Sequence, residues 1–253
     1  MAWDPKTYLD FEDERTRPAV ELLARIGHKA PAHIIDLGCG PGNSTALLAR
    51  RWPKAKLEGL DSSESMLDQA RRSGIRATWH SGDIPSWSPT RKYDVIFANA
   101  ALHWLDDQDA LLGRLMSHLA PEGVLAFQVP ANFNEPSHKL MRDVAAEGPW
   151  AGKLANVRNI VLGSDRGYYE LLEPLSSALD IWQTSYLQVL AGEDAVYRWV
   201  SGTGLRPFVS ALEGAERDAY VGEYKRRLNQ AYPMRQSGKV LFPFQRLFVV
   251  ARR

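Results

Sequence analysis

One stretch of this sequence predicts a buried strand that turns sharply into a helix: Ile34-Ile35-Asp36-Leu37-Gly38-Cys39-Gly40-Pro41-Gly42-Asn43-Ser44. An apolar run ends in an acid, three glycines follow at every second position, and the last two residues can cap a helix. Glycine suits such a turn because it adopts backbone angles that other residues avoid, and because a Cβ would block a close ligand. The free N–H groups at the start of the next helix would face that ligand. The stretch therefore predicts a ligand-binding loop.

Short apolar runs alternate with helical patterns through the first half of the chain. The runs predict strands at 33–37, 56–60, 75–80, 93–98 and 124–129, and the patterns predict helices at 14–26, 44–51, 63–72 and 107–118. Such alternation is typical of a parallel sheet with helices on both faces. Ligands of such sheets lie beyond the carboxyl ends of the strands, where the glycine stretch falls.

The regular alternation stops after Val129, where two long insertions flank a predicted helix at 168–179 and the last strands at 180–190 and 246–251. We expect an α/β fold: a Rossmann-like, doubly wound, mostly parallel seven-stranded sheet whose last strand is antiparallel, with a helical cap formed by the insertions. The predicted parts are an N-terminal flap and helix (1–30), a ligand-binding core (31–130), a cap insertion (131–165), a core helix and strand (166–192), a helical cap insertion (193–240) and the final core strand (241–253).

Acidic residues follow the second and third predicted strands as well as the first. Asp61 ends the second strand about 20 positions beyond the glycines, where this kind of fold places a carboxylate on ribose hydroxyls. Ser62 and Met66 open the next helix, and Met66 either packs against a ligand ring or belongs to the core. Asp83 and Ile84 follow the third strand, where an acid alone also suits a turn. Three acids at successive strand ends favour a nucleoside site.

The glycine pattern resembles motif I of the S-adenosylmethionine-dependent methyltransferases. The dinucleotide fingerprint G-x-G-x-x-G would place its third glycine at position 43, where this chain has Asn43. An acid before the glycines also suits a cationic ligand better than a pyrophosphate. The resemblance implies that S-adenosylmethionine is the cofactor, without a metal, and that Asp83 binds the adenine amino group. The implied cofactor-binding residues are Asp36, Gly38, Gly40, Gly42, Asn43, Asp61, Ser62, Met66, Asp83, Ile84, Asn99 and Ala100.

The segment Ala98-Asn99-Ala100-Ala101-Leu102-His103-Trp104 follows the fourth predicted strand and would face the reacting methyl group. It lacks the Pro-Pro signature of amino-methylating enzymes, and the single cysteine lies elsewhere, which argues against methylation of nucleic acid. His103 is a candidate for pairing with an anionic acceptor or for a general base, or it packs at a loop–helix junction. Trp104 is a candidate wall of the pocket.

Several further blocks resemble the trans-aconitate 2-methyltransferase family, within the class I methyltransferase superfamily. They are Trp3-x-Pro5-x-x-Tyr8-Leu9, the segment 14–25 with its Arg15-Thr16-Arg17-Pro18, and Thr203-Gly204-Leu205-Arg206-Pro207. The resemblance runs from the N-terminus to the last strand and implies transfer of a methyl group to one carboxylate of trans-aconitate. Because a carboxylate is already ionised at neutral pH, the chemistry requires no general base.

A tricarboxylate acceptor brings three negative charges into its pocket and therefore requires cations. Arginine forks match carboxylates in two-pronged geometry. The candidate acceptor-binding residues are Trp3, Tyr8, Arg15, Arg17, His103, Trp104, Arg206 and Arg246, with Lys239 behind them. Arg206 is the first choice among the cations, and Arg17 could instead hold the methionine carboxylate of the cofactor.

Composition favours a cytoplasmic protein with a small-molecule carboxylate substrate. The net charge of +1 gives no general attraction to nucleic acid or membrane, and one cysteine among 253 residues suits a reducing compartment. The sequence shows neither a signal pattern nor an apolar run long enough to span a membrane. Three alternatives stay open: another acceptor such as a quinone precursor, a non-catalytic S-adenosylmethionine-binding module, and a nicotinamide-dependent oxidoreductase.

Overall fold

The structure is a computed structural model that describes residues 16–157, 164–202 and 204–253. Its first elements in chain order are α1 (Arg17–Arg25), β1 (His33–Leu37), α2 (Asn43–Arg51), β2 (Lys56–Asp61), α3 (Glu64–Arg72), β3 (Thr78–Ser81), β4 (Tyr93–Asn99), α4 (Gln108–Ser117) and β5 (Leu119–Pro130). The remaining elements are α5 (Pro136–Glu147), α6 (Ala151–Leu154), α7 (Asp165–Leu172), β6 (Ala178–Ala191), α8 (Ala195–Ser201), α9 (Arg206–Ser210), α10 (Gly214–Ala231) and β7 (Lys239–Arg252).

The strands of the described residues form one seven-stranded sheet in the order β3-β2-β1-β4-β5-β7-β6. Strands β1 to β5 pair in parallel, with Asp36 beside Gly59 of β2 and Phe97 of β4, and with Asn99 beside Gln128 of β5. Six strands are parallel and the last strand is antiparallel, which confirms the predicted fold class. The order reverses between β1 and β4, so the carboxyl end of β1 lies at the point where such sheets bind ligands.

The chain divides into two compact units. Among the described residues, unit 1 comprises 16–129, 164–184 and 247–253 and includes β1 to β5 up to Val129. Its central strands are buried on both faces, since Ile34, Ile35, Val95 and Ile96 have no exposed surface. This burial explains why these strands read as continuous apolar runs rather than as alternating ones. The rigid core of unit 1 thus holds the ends of β1, β2 and β4 in fixed positions.

Unit 2 comprises 130–157, 185–202 and 204–246 and has an aromatic core of its own. Helices α5 and α10 pack together around the buried rings of Tyr220 and Tyr224. The hydroxyl of Tyr220 donates to the carbonyl of Met141 at 3.0 Å, and that of Tyr224 donates to the carbonyl of Ser137 at 2.7 Å. The aromatic rings therefore join the two helices through polar bonds as well as through packing. The predicted six-part division of the chain stays a prediction.

Several element boundaries differ from the sequence prediction, and for two of them the structure shows a local reason. Strand β3 begins at Thr78 rather than at Ile75, because the Ala77 N–H donates to the Ile75 carbonyl. Helix α7 ends at Leu172 and not at Leu179, since Pro174 has no N–H to continue it and β6 begins at Ala178. The last strand is longer than predicted and spans Lys239–Arg252. These differences leave the strand ends at the ligand-binding edge where the sequence predicted them.

Candidate active site

Three glycines in the loop after β1 have a left-handed backbone conformation. Gly38, Gly40 and Gly42 have φ angles of 69°, 54° and 96°. A Cβ on Gly38 would lie 2.4 Å from the Cβ of Ala101, and one on Gly42 would lie 3.0 Å from the Ile75 side chain, whereas one on Gly40 would meet no atom within 4 Å. Gly38 and Gly42 are therefore required by packing within the protein. Gly40 leaves open space that a ligand could fill.

Asp61, at the end of β2, holds the glycine loop. Its Oδ2 accepts a hydrogen bond from the Gly40 N–H at 2.8 Å, and its Oδ1 accepts one from the Ser63 N–H at 2.8 Å. The carbonyl of Leu60 accepts from the N–H groups of Gly38 and Cys39. The end of β2 is thus bonded to the loop by both main chain and side chain. Each carboxylate oxygen keeps a second lone pair with which it can accept from a ligand hydroxyl.

Asp36, the acid before the glycines, lies inside the protein and contacts the start of α2. Its Oδ2 accepts hydrogen bonds from the hydroxyls of Ser44 at 2.8 Å and Thr45 at 2.6 Å. No described residue donates to Oδ1, and the residue has no exposed surface. Burial raises the pKa of Asp36 to about 6, although the two hydroxyls lower it. Asp36 therefore fixes the helix that follows the loop, and a cofactor contact for it stays a prediction.

The residues predicted to surround the adenine lie at the ends of β2 and β3. Ser62, Met66 and Asp83 are exposed, while Ile84 is buried. Asp83 lines a cavity of about 530 Å³ beneath the connection from β3 to β4, a volume in the range typical of ligand sites. Arg114 of α4 donates to the carbonyls of Ile84 at 2.8 Å and Trp87, and so holds this connection on unit 1.

The end of β4 lies beside the glycine loop. Ala100 has a left-handed backbone with φ of 56°, and its N–H donates to the Gln128 carbonyl at 2.9 Å. The side chain of Gln128 donates from Nε2 to Asn99 Oδ1 at 2.5 Å. Since a Cβ on Gly38 would collide with Ala101, the segment after β4 packs directly on the loop. Asn99 and Ala100 are half-buried and accessible to a ligand.

His103 and Trp104 lie in a 3-10 turn, Leu102–Trp104, after this segment. His103 is buried, Trp104 is 38% exposed, and their ring centres are 4.7 Å apart. The packed position of His103 is typical of a structural histidine, and the exposed indole of Trp104 is free to contact a ligand. The acceptor roles of both residues stay predictions.

The predicted acceptor cations fall in different parts of the chain. Arg17 begins α1 and donates to the Glu21 carboxylate at 3.2 Å. Arg206 and Lys239 are exposed, at the starts of α9 and β7. Arg246 is buried, with its guanidinium 4.8 Å from the centre of the Phe244 ring. Trp3, Tyr8 and Arg15 lie outside the described residues. The predicted cofactor residues all belong to unit 1, whereas Arg206 and Arg246 belong to unit 2.

The sequence analysis missed three groups that hold the site. They are the hydroxyls of Ser44 and Thr45 on Asp36, the guanidinium of Arg114 under Ile84, and the amide of Gln128 on Asn99. Ser44 and Thr45 follow Gly42 by two and three positions, so an acid before the glycines with hydroxyls just after them was a usable signal. The other two pairs are 29 and 30 positions apart and have no local signature.

Residues 16–157, 164–202 and 204–253 contain no group of three or more His, Cys, Asp or Glu side chains that could hold a metal ion. Within the same ranges, every helix is too short or too polar to cross a membrane.

Comparison with known proteins identifies the same core. A family model described as a methyltransferase domain matches residues 34–123. The YcgJ protein of Bacillus subtilis has a similar structure, with a TM-score of 0.63 at 13% identity, covering 94% of this chain and 98% of that one. The plantazolicin methyltransferase BpumL, solved in complex with S-adenosylhomocysteine, has a TM-score of 0.51 at 16% identity, covering 98% of this chain and 88% of its own. These likenesses establish the fold.

Sequence relatives match over the whole length. Trans-aconitate 2-methyltransferase of Azoarcus sp. (strain BH72) is 50% identical over 252 residues, 99% of each chain. The enzymes of the same name from Acidovorax ebreus and Methylobacterium radiotolerans are 49% and 48% identical over 253 and 257 residues. Because the identity extends through both units and not only through the methyltransferase core, this chain belongs to the trans-aconitate 2-methyltransferase family.

Proposed function

We propose that this protein is an S-adenosylmethionine-dependent carboxyl O-methyltransferase that esterifies a small polycarboxylate, trans-aconitate, to its monomethyl ester. The observation that carries the proposal is the full-length identity of about half to enzymes of that name. S-adenosylmethionine supplies a sulfonium-bound methyl group that passes to a carboxylate oxygen and leaves S-adenosylhomocysteine. The residues of unit 1 fit this cofactor by an independent criterion, since Gly40 leaves open space beside a carboxylate with unused lone pairs.

In this proposal the cofactor is held at the ends of β1, β2 and β4. Asp61 would accept from the two ribose hydroxyls while its present bonds keep the loop in place. Gly38, Gly40, Gly42, Asn43, Asn99 and Ala100 would bind the methionine end, and Ser62, Met66, Asp83 and Ile84 would surround the adenine. Asp36 supports the loop through α2. The backbone of the loop is already in its left-handed conformation, so little ordering would accompany binding.

The acceptor needs positioning and charge neutralisation rather than proton removal. Its carboxylates are ionised at neutral pH and can attack a methyl group without a general base. We propose Arg206, Arg246 and Arg17 as the cations that bind the other carboxylates, with Trp3, Tyr8, Arg15, His103 and Trp104 as further acceptor-binding residues. A small anion fits the near-neutral chain better than nucleic acid or a membrane surface does, since the net charge is only +1. A reducing cytoplasm would keep Cys39 as a thiol.

The first experiment offers the purified protein a panel of acceptors with methyl-labelled S-adenosylmethionine. The panel contains trans-aconitate, cis-aconitate, citrate, two dicarboxylates and a hydroxylated quinone precursor. We expect a labelled monomethyl ester of trans-aconitate, identified by mass spectrometry, with slower labelling of the other polycarboxylates. Labelling of the quinone precursor alone would overturn the acceptor, and binding of S-adenosylhomocysteine without any product would favour a binding module.

The second experiment tests the cofactor site with two matched carboxylates. Asp61 accepts two backbone N–H bonds at the carboxyl end of the sheet, and Asp94 accepts two, from Ala32 and His33, at the opposite end. Asp61→Asn and Asp94→Asn should therefore lower stability by similar amounts, about 1–3 kcal/mol. Calorimetry with S-adenosylhomocysteine should show weaker binding, by tenfold or more, for Asp61→Asn alone. Equal affinities of the two variants would remove Asp61 from the site.

A further inference from the structure

The end of β4 is held by a single buried residue of β5. Gln128 has 1% of its surface exposed and stands beside Asn99 in the parallel register of the two strands. Its main-chain carbonyl accepts from the Ala100 N–H at 2.9 Å, and its side-chain amide donates to Asn99 Oδ1 at 2.5 Å. One residue therefore fixes both the backbone and the side chain at the tip of β4.

The backbone at the tip of β4 is strained, and the hydrogen bond from the Ala100 N–H to the Gln128 carbonyl helps to hold it in place. Ala100 has a φ of 56°, a left-handed conformation that residues with a Cβ rarely adopt. The next residue, Ala101, is in contact with Gly38, where an added Cβ would lie only 2.4 Å from the Cβ of Ala101. Relaxation of Ala100 would move Ala101 and, through it, the first glycine of the loop. The conformation of the glycine loop thus depends on a residue that is not part of it.

The orientation of the Asn99 amide follows from the same contact. Because Oδ1 accepts from Gln128, the Nδ2 group remains as the donor, and it makes no hydrogen bond with another described residue. Asn99 is half-buried, so this donor is accessible to a ligand. A donor at this position suits a negatively charged oxygen, such as that of an amino acid carboxylate.

We propose that Gln128 is a positioning residue for cofactor binding: its side-chain amide directs the Asn99 amide so that Nδ2 donates to the methionine end of S-adenosylmethionine, at a strand tip whose backbone the Gln128 carbonyl already holds. The inference rests on the proposed cofactor site but does not depend on the identity of the acceptor. In this proposal Gln128 acts on the cofactor through Asn99, Ala100 and the loop beyond them.

The test replaces the donor of Gln128 while keeping its shape. In Gln128→Glu the ionised side chain accepts and cannot donate, so at a pH high enough to ionise it Asn99 should turn its Nδ2 toward β5 and present Oδ1 to the ligand. In Gln128→Met the side chain keeps its length and loses both polar atoms. The control for burying a carboxylate is Asn132→Asp, whose fully buried side chain belongs to unit 2 and bonds with Gln245 and Pro243.

The readout is calorimetric affinity for S-adenosylhomocysteine, with the melting temperature recorded beside it. We expect the dissociation constant to rise about tenfold in Gln128→Glu, somewhat less in Gln128→Met, and less than twofold in Asn132→Asp. In steady-state kinetics the KM for S-adenosylmethionine should rise, while the KM for whichever acceptor the labelling panel identifies changes less than twofold. A merely structural role would lower the melting temperature of all three variants and leave both KM values unchanged.

Two results would overturn the inference in distinguishable ways. If the unmodified chain binds S-adenosylhomocysteine and Gln128→Glu binds it equally well, Gln128 does not position the cofactor site, and the proposed function is unaffected. A failure of the unmodified chain to bind S-adenosylhomocysteine would overturn the proposed function and this inference together.

Discussion

At the scale of single residues, the three glycines of the loop differ in what surrounds the position of the missing Cβ. Ala101 packs where a Cβ on Gly38 would lie, and Ile75 packs next to the corresponding position of Gly42. These two glycines are therefore required by packing within the chain. Gly40 has the same left-handed backbone, but the space beside it is open. A glycine whose missing Cβ faces open space at a ligand-binding edge is the one most directly available to a cofactor. This difference is invisible in the repeating sequence pattern.

Gly40→Ala provides a test when it is paired with Gly74→Ala as a control. Both glycines have left-handed backbones, with φ of 54° and 76°, and a Cβ on either would meet no atom within 4 Å. Each substitution should therefore cost about 1–2 kcal/mol of stability for backbone strain. Only Gly40→Ala should weaken binding of S-adenosylhomocysteine, measured by calorimetry. If the two variants bind it equally well, the cofactor does not approach Gly40.

The sequence could predict residues whose role is set locally. The loop and Asp61 are examples, because a strand, a glycine turn and an acid after the next strand have a fixed spacing in this kind of fold. It could not predict Gln128, since a lone glutamine in an apolar strand has no periodic signal and its partner Asn99 is 29 positions away. It also could not show that Asp36 contacts α2, because that depends on how the helix packs.

At the scale of elements, a row of tyrosines on α10 joins this helix to α5. Tyr220 and Tyr224 are one turn apart and donate to main-chain carbonyls of α5. Tyr232, directly after α10, accepts from the Ser137 N–H at 3.2 Å. An ion pair of Arg227 with Glu147 adds a contact between the same helices. The sequence predicted a helical cap from these two segments. It did not predict which helices pair, because a tyrosine hydroxyl gives no indication of its partner.

Tyr224→Phe tests what the buried hydroxyl contributes to unit 2. It removes the donor to the Ser137 carbonyl and should lower the free energy of unfolding by about 1–2 kcal/mol, measured by urea denaturation. Tyr169→Phe is the control, because Tyr169 of α7 is 53% exposed and its change should be within about 0.5 kcal/mol. Equal stability of the two variants would show that the Tyr224 hydrogen bond contributes nothing net.

At the scale of the whole molecule, each unit contains a buried titratable side chain, and acid changes the stability of the two units in opposite directions. Burial raises the pKa of Asp36 in unit 1 to about 6, from its ordinary value of 3.8. Between these two values the folded state binds more protons than the unfolded state, so unit 1 gains stability as pH falls from 6 toward 3.8. Burial, with nearby Arg142, lowers the pKa of His138 in unit 2 to about 4. Unit 2 therefore loses stability as pH falls from 6.5 toward 4.

We expect acid to separate the unfolding of the two units. Each shift corresponds to about 3 kcal/mol when its window is fully crossed, at 1.36 kcal/mol per pKa unit. Scanning calorimetry from pH 7.5 to 4.5 should resolve a transition of unit 2 that moves to lower temperature relative to unit 1. His138→Gln should remove most of that separation, and Asp36→Asn should remove the gain of unit 1. One unchanged transition at every pH would contradict the expectation.

The position of Cys39 gives the protein an intrinsic chemical probe. It is the single cysteine of the chain, it lies buried between two of the loop glycines, and burial raises the pKa of its thiol, with Asp36 and Asp61 adding to the effect. Alkylating reagents need an accessible thiolate, so the modification rate measures how often the segment opens to solvent. The native chain can thus report its own breathing motions without any engineered label.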